Sequence, residues 1–168
     1  MPEEDRHAWP LSCINHFLAT AIETGGRSMK AEDIMTRHVI DVMESDDIYQ
    51  AFSRLRQHHI HQLVVVNVDS QLCGMVYDRD VLRAWAEVAN SDREFPRVGS
   101  IMKRDLITCG PGDDLEQITA MMLEHRVHAI PVLDGKRRPV GIISTTDLLR
   151  FGFKNLGFAR SHPLPAML

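Results

Sequence analysis

The stretch Gly141-Ile142-Ile143-Ser144-Thr145-Thr146-Asp147 carries side chains that can do chemistry. Its apolar β-branched residues read as a short buried strand. The hydroxyl residues and the aspartate that follow read as the start of a helix. A carboxylate at such a junction can accept hydrogen bonds from two adjacent sugar hydroxyls, and its charge makes them strong. Ser144 can bond a sugar or a phosphate. Thr146 stands in the first helical turn, where free N–H groups and the helix dipole favour an anion. The same residues also serve simply as a helix cap.

The pattern occurs twice. Gly74-Met75-Val76-Tyr77-Asp78-Arg79-Asp80 lies 67 residues earlier. There Asp80 repeats Asp147, but Tyr77 replaces the small hydroxyl residue. Asp78 adds negative charge, which Arg79 can offset. Tyr77 can fill a cleft or stack on a base. On this comparison the stretch ending in Asp147 is expected to be the main site and the one ending in Asp80 the altered one.

Histidines form a second constellation. His58-His59-Ile60-His61 matches His125-Arg126-Val127-His128 at the same offset. No thiol or carboxylate adjoins at metal-ligand spacing, so helix-end capping is expected and no metal site. No paired nucleophile and base, phosphate-loop lysine or catalytic signature is present, so the chain is not read as an enzyme.

These residues need elements to hold them. Asp33-Ile34-Met35-Thr36-Arg37 aligns with Ser100-Ile101-Met102-Lys103-Arg104, and Leu63-Val64-Val65-Val66 with Ile130-Pro131-Val132-Leu133, without a gap. An ungapped internal repeat means two copies of one structural unit. Each copy reads β-α-β-β-α after a short turn or helix. The first strands fall at Val39 to Val42 and Leu106 to Cys109, and the helix caps at Asp46 and at Gly112-Asp113. Copies this small are expected to pack as one body. The predicted organisation is an N-terminal helical extension over 1–28, repeats over 29–90 and 98–153, a linker over 91–97, and a tail over 154–168. The extension's Leu11, Ile14, Leu18 and Ile22 recur at helical spacing.

The bulk properties narrow the classes. The chain has 168 residues, 44% of them hydrophobic, and a formal net charge of −4. That charge speaks against nucleic-acid binding. Cys13, Cys73 and Cys109 form no paired motif and read as reduced cytosolic thiols. No apolar run reaches the roughly 20 residues of a membrane helix, and the acidic N-terminus does not suit a secretory signal.

The doubled unit resembles a tandem pair of cystathionine-β-synthase (CBS) domains, a Bateman module. The resemblance rests on Ile34-Met35 and Ile101-Met102, on Val127-His128-Ala129-Ile130-Pro131-Val132, and on Gly141, Ser144 and Asp147 with their counterparts. It implies an α/β (α+β) fold of two β-α-β-β-α repeats packed sheet to sheet with pseudo-two-fold symmetry. It implies a sensor of an adenosine nucleotide of the AMP, ADP or ATP class, or of S-adenosylmethionine, bound between the repeats. The implied main site comprises Ile107, Thr108, His128, Ala129, Ile130, Pro131, Ser144, Thr146 and Asp147. The second comprises Ile40, Asp41, His61, Gln62, Tyr77, Arg79 and Asp80. Where a related kinase subunit has an arginine after the motif histidine, this chain has Gln62 and Ala129. Phosphate contacts then fall to Arg37, Arg79, Arg104 or Arg126. The resemblance further implies a stand-alone homodimeric module regulating an enzyme or transporter. The alternative is a non-liganded interaction or oligomerisation scaffold.

Overall fold

A computed structural model describes residues 28–89 and 94–155. The expected N-terminal helix, the start of the linker and the tail beyond residue 155 lie outside the described residues. The first repeat contains α1 (Ala31–Ile34), β1 (Asp41–Met43), α2 (Ile48–His58), β2 (Gln62–Val66), β3 (Leu72–Tyr77) and α3 (Asp78–Val88). The second contains α4 (Val98–Ile101), α5 (Leu115–Glu124), β4 (Ala129–Leu133), β5 (Pro139–Ser144) and α6 (Thr145–Asn155). Strand β2 pairs parallel with β1 and antiparallel with β3, while β4 and β5 form an antiparallel pair.

Two expectations are corrected. Strand β1 starts at Asp41 rather than Val39, and its second copy shrinks to a single bridge between Cys109 and Val132. The cause is Pro111. At the equivalent position the Glu44 N–H donates to Val66 O at 3.1 Å and continues the ladder. Proline has no N–H to donate, so the ladder stops. The caps also sit one residue later than expected. Asp47 Oδ1 accepts from the Gln50 N–H at 2.9 Å, capping α2. Asp46 and Asp113 close the preceding turns instead, accepting from Met43 N at 2.9 Å and Gly110 N at 2.8 Å. In each Asp-Asp pair the first residue closes a turn and the second flanks the helix.

The repeats exchange their leading segments. Helix α1 lies on the second repeat, where Ala31 N donates to Asp113 O at 2.9 Å and Glu32 N to Pro111 O at 3.0 Å. Thr36 and Ile142 then exchange two backbone hydrogen bonds, at 2.9 and 3.0 Å. Helix α4 mirrors this on the first repeat. Val98 N donates to Asp46 O at 2.8 Å, Gly99 N donates to Glu44 O at 2.9 Å, and Met75 and Lys103 exchange bonds at 2.9 and 2.8 Å.

The cores follow the exchange. Val42, Ile48, Leu63, Val65 and Val76 are buried together with Val98 and Met102 of the other repeat. Cys109, Ile118, Ile130, Val132 and Ile143 are closed by Ala31 and Met35. A third cluster joins the two sheets: Val64, Val66 and Leu72 meet Leu106, Leu133 and Ile142. Each fully buried aliphatic side chain contributes about 1.5–3 kcal/mol, so neither half can give up the other's leader cheaply.

Candidate functional site

Each repeat ends its sheet in a strand that runs straight into a helix, and the two junctions differ. At β5–α6, Ser144 and Asp147 cap each other. The Asp147 N–H donates to Ser144 Oγ at 3.3 Å, and the Ser144 N–H donates to Asp147 Oδ2 at 2.8 Å. This is a capping box. The Ser144 hydroxyl adds a 2.5 Å bond to the same carboxylate oxygen. Thr36, arriving with the first repeat's leader, donates through Oγ1 to Asp147 Oδ1 at 3.2 Å. Arg150 lies 3.6 Å from Oδ1. The carboxylate, only 8% exposed, is satisfied by protein on both oxygens.

At β3–α3 none of these partners recurs. Tyr77 occupies the N-cap and makes no side-chain cap. Lys103 stands where Thr36 stands in the other half. Asp80 Oδ2 is buried and has no hydrogen-bond partner among the described residues. Asp78 is engaged elsewhere, with His61 Nδ1 at 2.7 Å and the Arg79 N–H at 2.6 Å. The Arg79 guanidinium lies 5.1 Å and Lys103 Nζ 5.6 Å from the centre of the Tyr77 ring, both in cation–π range. Burial pushes the Tyr77 phenol above its ordinary pKa; the Arg79 charge opposes this and Asp80 reinforces it.

Beside this junction opens a cleft of about 310 Å³. Met75 and Tyr77 of the first repeat form one wall. Lys103, Ile107, His125 and Ala129 of the second form much of the other. The volume is at the lower end of small-molecule pockets. Met75, Leu106, Ile107, Val127 and Ala129 give apolar surface that suits a flat ring, while Lys103 offers a cation and Asp105 a carboxylate to polar substituents.

The structure thus regroups the residues assigned to two sites. Ile107 and Ala129 line the cleft with Tyr77. Ser144, Thr146 and Asp147 belong to the other junction, beside Thr36. Ile130 and Pro131 are buried in β4, while Thr108 and His128 are exposed and outside the cleft lining. Of the second set, Gln62 pairs with Tyr77 across the sheet, His61 holds Asp78, Asp41 lies 3.9 Å from Arg54, and Ile40 packs against the first core. The regrouping follows from the exchanged leaders: β3 bonds to Lys103, so the first junction faces the second repeat's leader.

Sequence reading missed Lys103 and His125 as cleft residues. Lys103 directly follows the Ile101-Met102 motif, and His125 belongs to the noted histidine spacing, so both were within reach of the pattern. Of the other arginines considered for phosphate, Arg37 bonds Glu32 O at 3.0 Å, and Arg104 bonds Gly99 O at 3.2 Å. Arg126 is exposed, in a left-handed conformation after α5. Among the described residues no group of three or more His, Cys, Asp or Glu is placed to hold a metal ion.

A sequence model of the CBS domain matches residues 31–87 and 98–154, the two repeats. The chain belongs to the CBS domain family. It is 32% identical over 118 residues to the CBS domain-containing protein YhcV of Bacillus subtilis, covering 70% of this chain and 81% of that one. It is 28% identical over 120 residues to a homoserine O-acetyltransferase of Methanocorpusculum labreanum, covering 71% of this chain and 23% of that enzyme. The chain therefore spans about a quarter of that relative's length. Among solved structures it resembles the CBS domain pair of protein MJ0100, crystallised with 5-methylthioadenosine and S-adenosyl-L-methionine. The TM-score is 0.67 at 26% identity, covering 76% of this chain and 99% of that one. Among the described residues no helix is long and apolar enough to cross a membrane.

Proposed function

We propose that this CBS pair is a non-catalytic regulatory module whose inter-repeat cleft binds an adenosine-type ligand. The observation that carries the reading is the cleft itself, whose walls come from both repeats and which has Tyr77, the residue at the strand-to-helix junction before Asp80, in its lining. Adenine fits between Ile107 and Ala129, and the sugar hydroxyls find their acceptor in Asp80. A phosphate or other anionic 5′ group finds Arg79, Lys103 and His125. The ligands of the MJ0100 pair support the adenosine class.

A molecule that touches both repeats favours one packing of the repeats over another, by no more than its difference in affinity for the two. The module then reports to a partner enzyme or transporter, acting as a cytoplasmic homodimer. Thermal melts with AMP, ATP, 5-methylthioadenosine and S-adenosylmethionine test the binding step. A ligand present at 100 times its Kd stabilises by about 2.7 kcal/mol. If none of the four raises the Tm at millimolar concentration, the proposal fails.

A second reading, a scaffold that binds partners without a ligand, is favoured by the Tyr77 ring, which takes up space in the cleft. It is favoured too by the exposed rings of Tyr49 and Phe95, which lie 6.3 and 4.9 Å from the half-buried Trp85 ring between them. Deletion of residues 1–28, with oligomeric size and partner capture unchanged, would remove the N-terminal extension from that role.

A further inference from the structure

We infer that the groove between α5 and α6 is the seat of this chain's own N-terminal segment, residues 11–24, docked in cis. This seat lies on the helical face of the second repeat, apart from the cleft and whatever the cleft binds.

The two repeats close their helical faces differently. In the first, α2 and α3 pack closely on each other, with aromatic rings between them. The Trp85 ring of α3 lies 6.3 Å from Tyr49 and 5.8 Å from Phe52 of α2, and 4.9 Å from Phe95 of the leader that enters there. The 67-residue offset puts Gly152 in place of Trp85, Glu116 in place of Tyr49, Thr119 in place of Phe52 and Ser28 in place of Phe95. All four rings are gone. Among the described residues, α5 and α6 approach each other less closely than α2 and α3. A Cβ built on Gly152 would meet nothing within 4 Å. The groove is nevertheless apolar. Thr119 is buried and its hydroxyl donates to the Leu115 carbonyl at 2.8 Å, so it asks for no further polar partner. Leu123 shares a helix face with Thr119, and Leu149 shares one with Gly152. These leucines are 47% and 74% exposed, a surface that a docked apolar stripe would take out of water.

Entry point, pattern and length name the occupant. The described chain starts at Ser28, whose hydroxyl bonds the Asp114 carboxylate just ahead of α5, and the next carbonyl, of Met29, accepts from the Leu115 N–H at 2.9 Å. Four residues span at most about 14 Å, so Thr24 is held near the mouth of the groove. Leu11, Ile14, Leu18 and Ile22 recur at helical spacing and form one apolar stripe. As a helix, residues 11–24 span about 21 Å, enough to run along the about 15 Å of α5. In the first repeat the leader brings its own ring, Phe95. In the second it brings Ser28, and the segment before Ser28 brings the stripe. A segment seated there is not an arm free to capture another protein.

The test is amide hydrogen exchange, read by mass spectrometry on the full chain. Residues 11–24 should exchange at least about tenfold more slowly than an unstructured peptide of the same sequence. Gly152→Trp, which returns the ring found in the first repeat, and Leu149→Asp should each remove that protection; Leu149→Asp serves where Gly152→Trp does not fold. Leu18→Asp should remove it too and speed exchange in α5 and α6, with α2 and α3 unchanged. Absence of protection in the wild-type chain would overturn the inference and leave the groove to another protein. Protection that survives both groove variants would overturn it by placing the segment elsewhere. Mixing the Gly152→Trp and Leu18→Asp chains decides between cis and trans. One has an intact segment and a blocked groove, the other a spoiled segment and an open groove. Docking in cis gives no rescue at micromolar concentration. Recovered protection of the Gly152→Trp segment would seat it on a second copy and overturn the cis assignment.

Discussion

The Met35 side chain occupies the space that a Cβ at Gly141 would need. A Cβ built there falls 2.9 Å from Met35 Cγ and 3.2 Å from its Cβ, and closer still to the sulfur. The same relationship joins Met102 to Gly74, where a Cβ would meet Met102 Cγ at 2.9 Å and the Lys103 carbonyl at 3.0 Å. Each methionine comes from one repeat and each glycine from the other. The pair is therefore a brace built twice. Gly141→Ala and Gly74→Ala should each destabilise by about 1–3 kcal/mol, the cost of overpacking. Gly74→Ala should cost more, because a backbone carbonyl yields less readily than a flexible thioether. Urea denaturation of both variants measures this, and equal or improved stability would mean the methionines move aside freely.

The exchange of leaders also makes the two cores one thermodynamic unit. Ile143 lies in the second core, whereas Trp85 packs against the first. Ile143→Ala should cost about 2–5 kcal/mol as a large-to-small core change. In a Trp9→Phe background, the denaturation midpoint reported by Trp85 fluorescence should fall as far as that reported by circular dichroism. A Trp85 midpoint that stays in place would mean that the repeats unfold separately.

What the sequence makes legible here is what is local or repeated. The 67-residue echo, the β-branched runs of β2 and β4, and the strand-to-helix junctions all follow from patterns within a few residues. The exchange is not local. Ile34-Met35 and Ile101-Met102 announce themselves as motifs, but nothing in their spacing says that each packs on the other copy. For the same reason the resemblance groups Ile107 and Ala129 with Asp147, whereas the structure sets them beside Tyr77. The loss of the second β1 was readable, since Pro111 replaces a residue whose N–H the ladder uses. The contrast between Asp147 and Asp80 depends on Thr36 and Lys103, which arrive from the other repeat in each case.

Burial pushes the Cys109 thiol up to about 12, with the charge of Asp113 adding to it. Cys73 is shifted in the same direction, first by burial. The thiolate is the reactive form, so both should be slow towards thiol reagents in the native state. In a Cys13→Ser background at pH 8, Ellman's reagent should find Cys109 silent until denaturant is added. The sign of the linkage follows. A pKa raised by folding gives stability that is whole below the unfolded value, near 8.5, and is lost as pH rises towards about 12. Cys109→Ala should flatten that alkaline decline, and prompt native labelling of Cys109 would contradict its burial.

The acid limb has a different source. Asp114 accepts from Lys30 Nζ at 2.9 Å and from the Ser28 hydroxyl, and these bonds hold its carboxyl below the usual aspartate range. Asp134 is lowered first by the Arg138 N–H at 2.8 Å, with the Lys136 N–H also at 2.8 Å. A depressed carboxyl contributes stability that is complete above the unfolded pKa and is lost as pH falls through the folded one. The Tm should therefore decline from about pH 4 downward. Because the Asp114–Lys30 pair joins the first repeat's leader to the second repeat's helix α5, the loss should also loosen the exchange between repeats. Asp114→Asn and Lys30→Met should each flatten the acid decline, and added salt should weaken it, since the pair is near solvent. An acid limb that is unchanged in both variants would place its origin in other carboxylates.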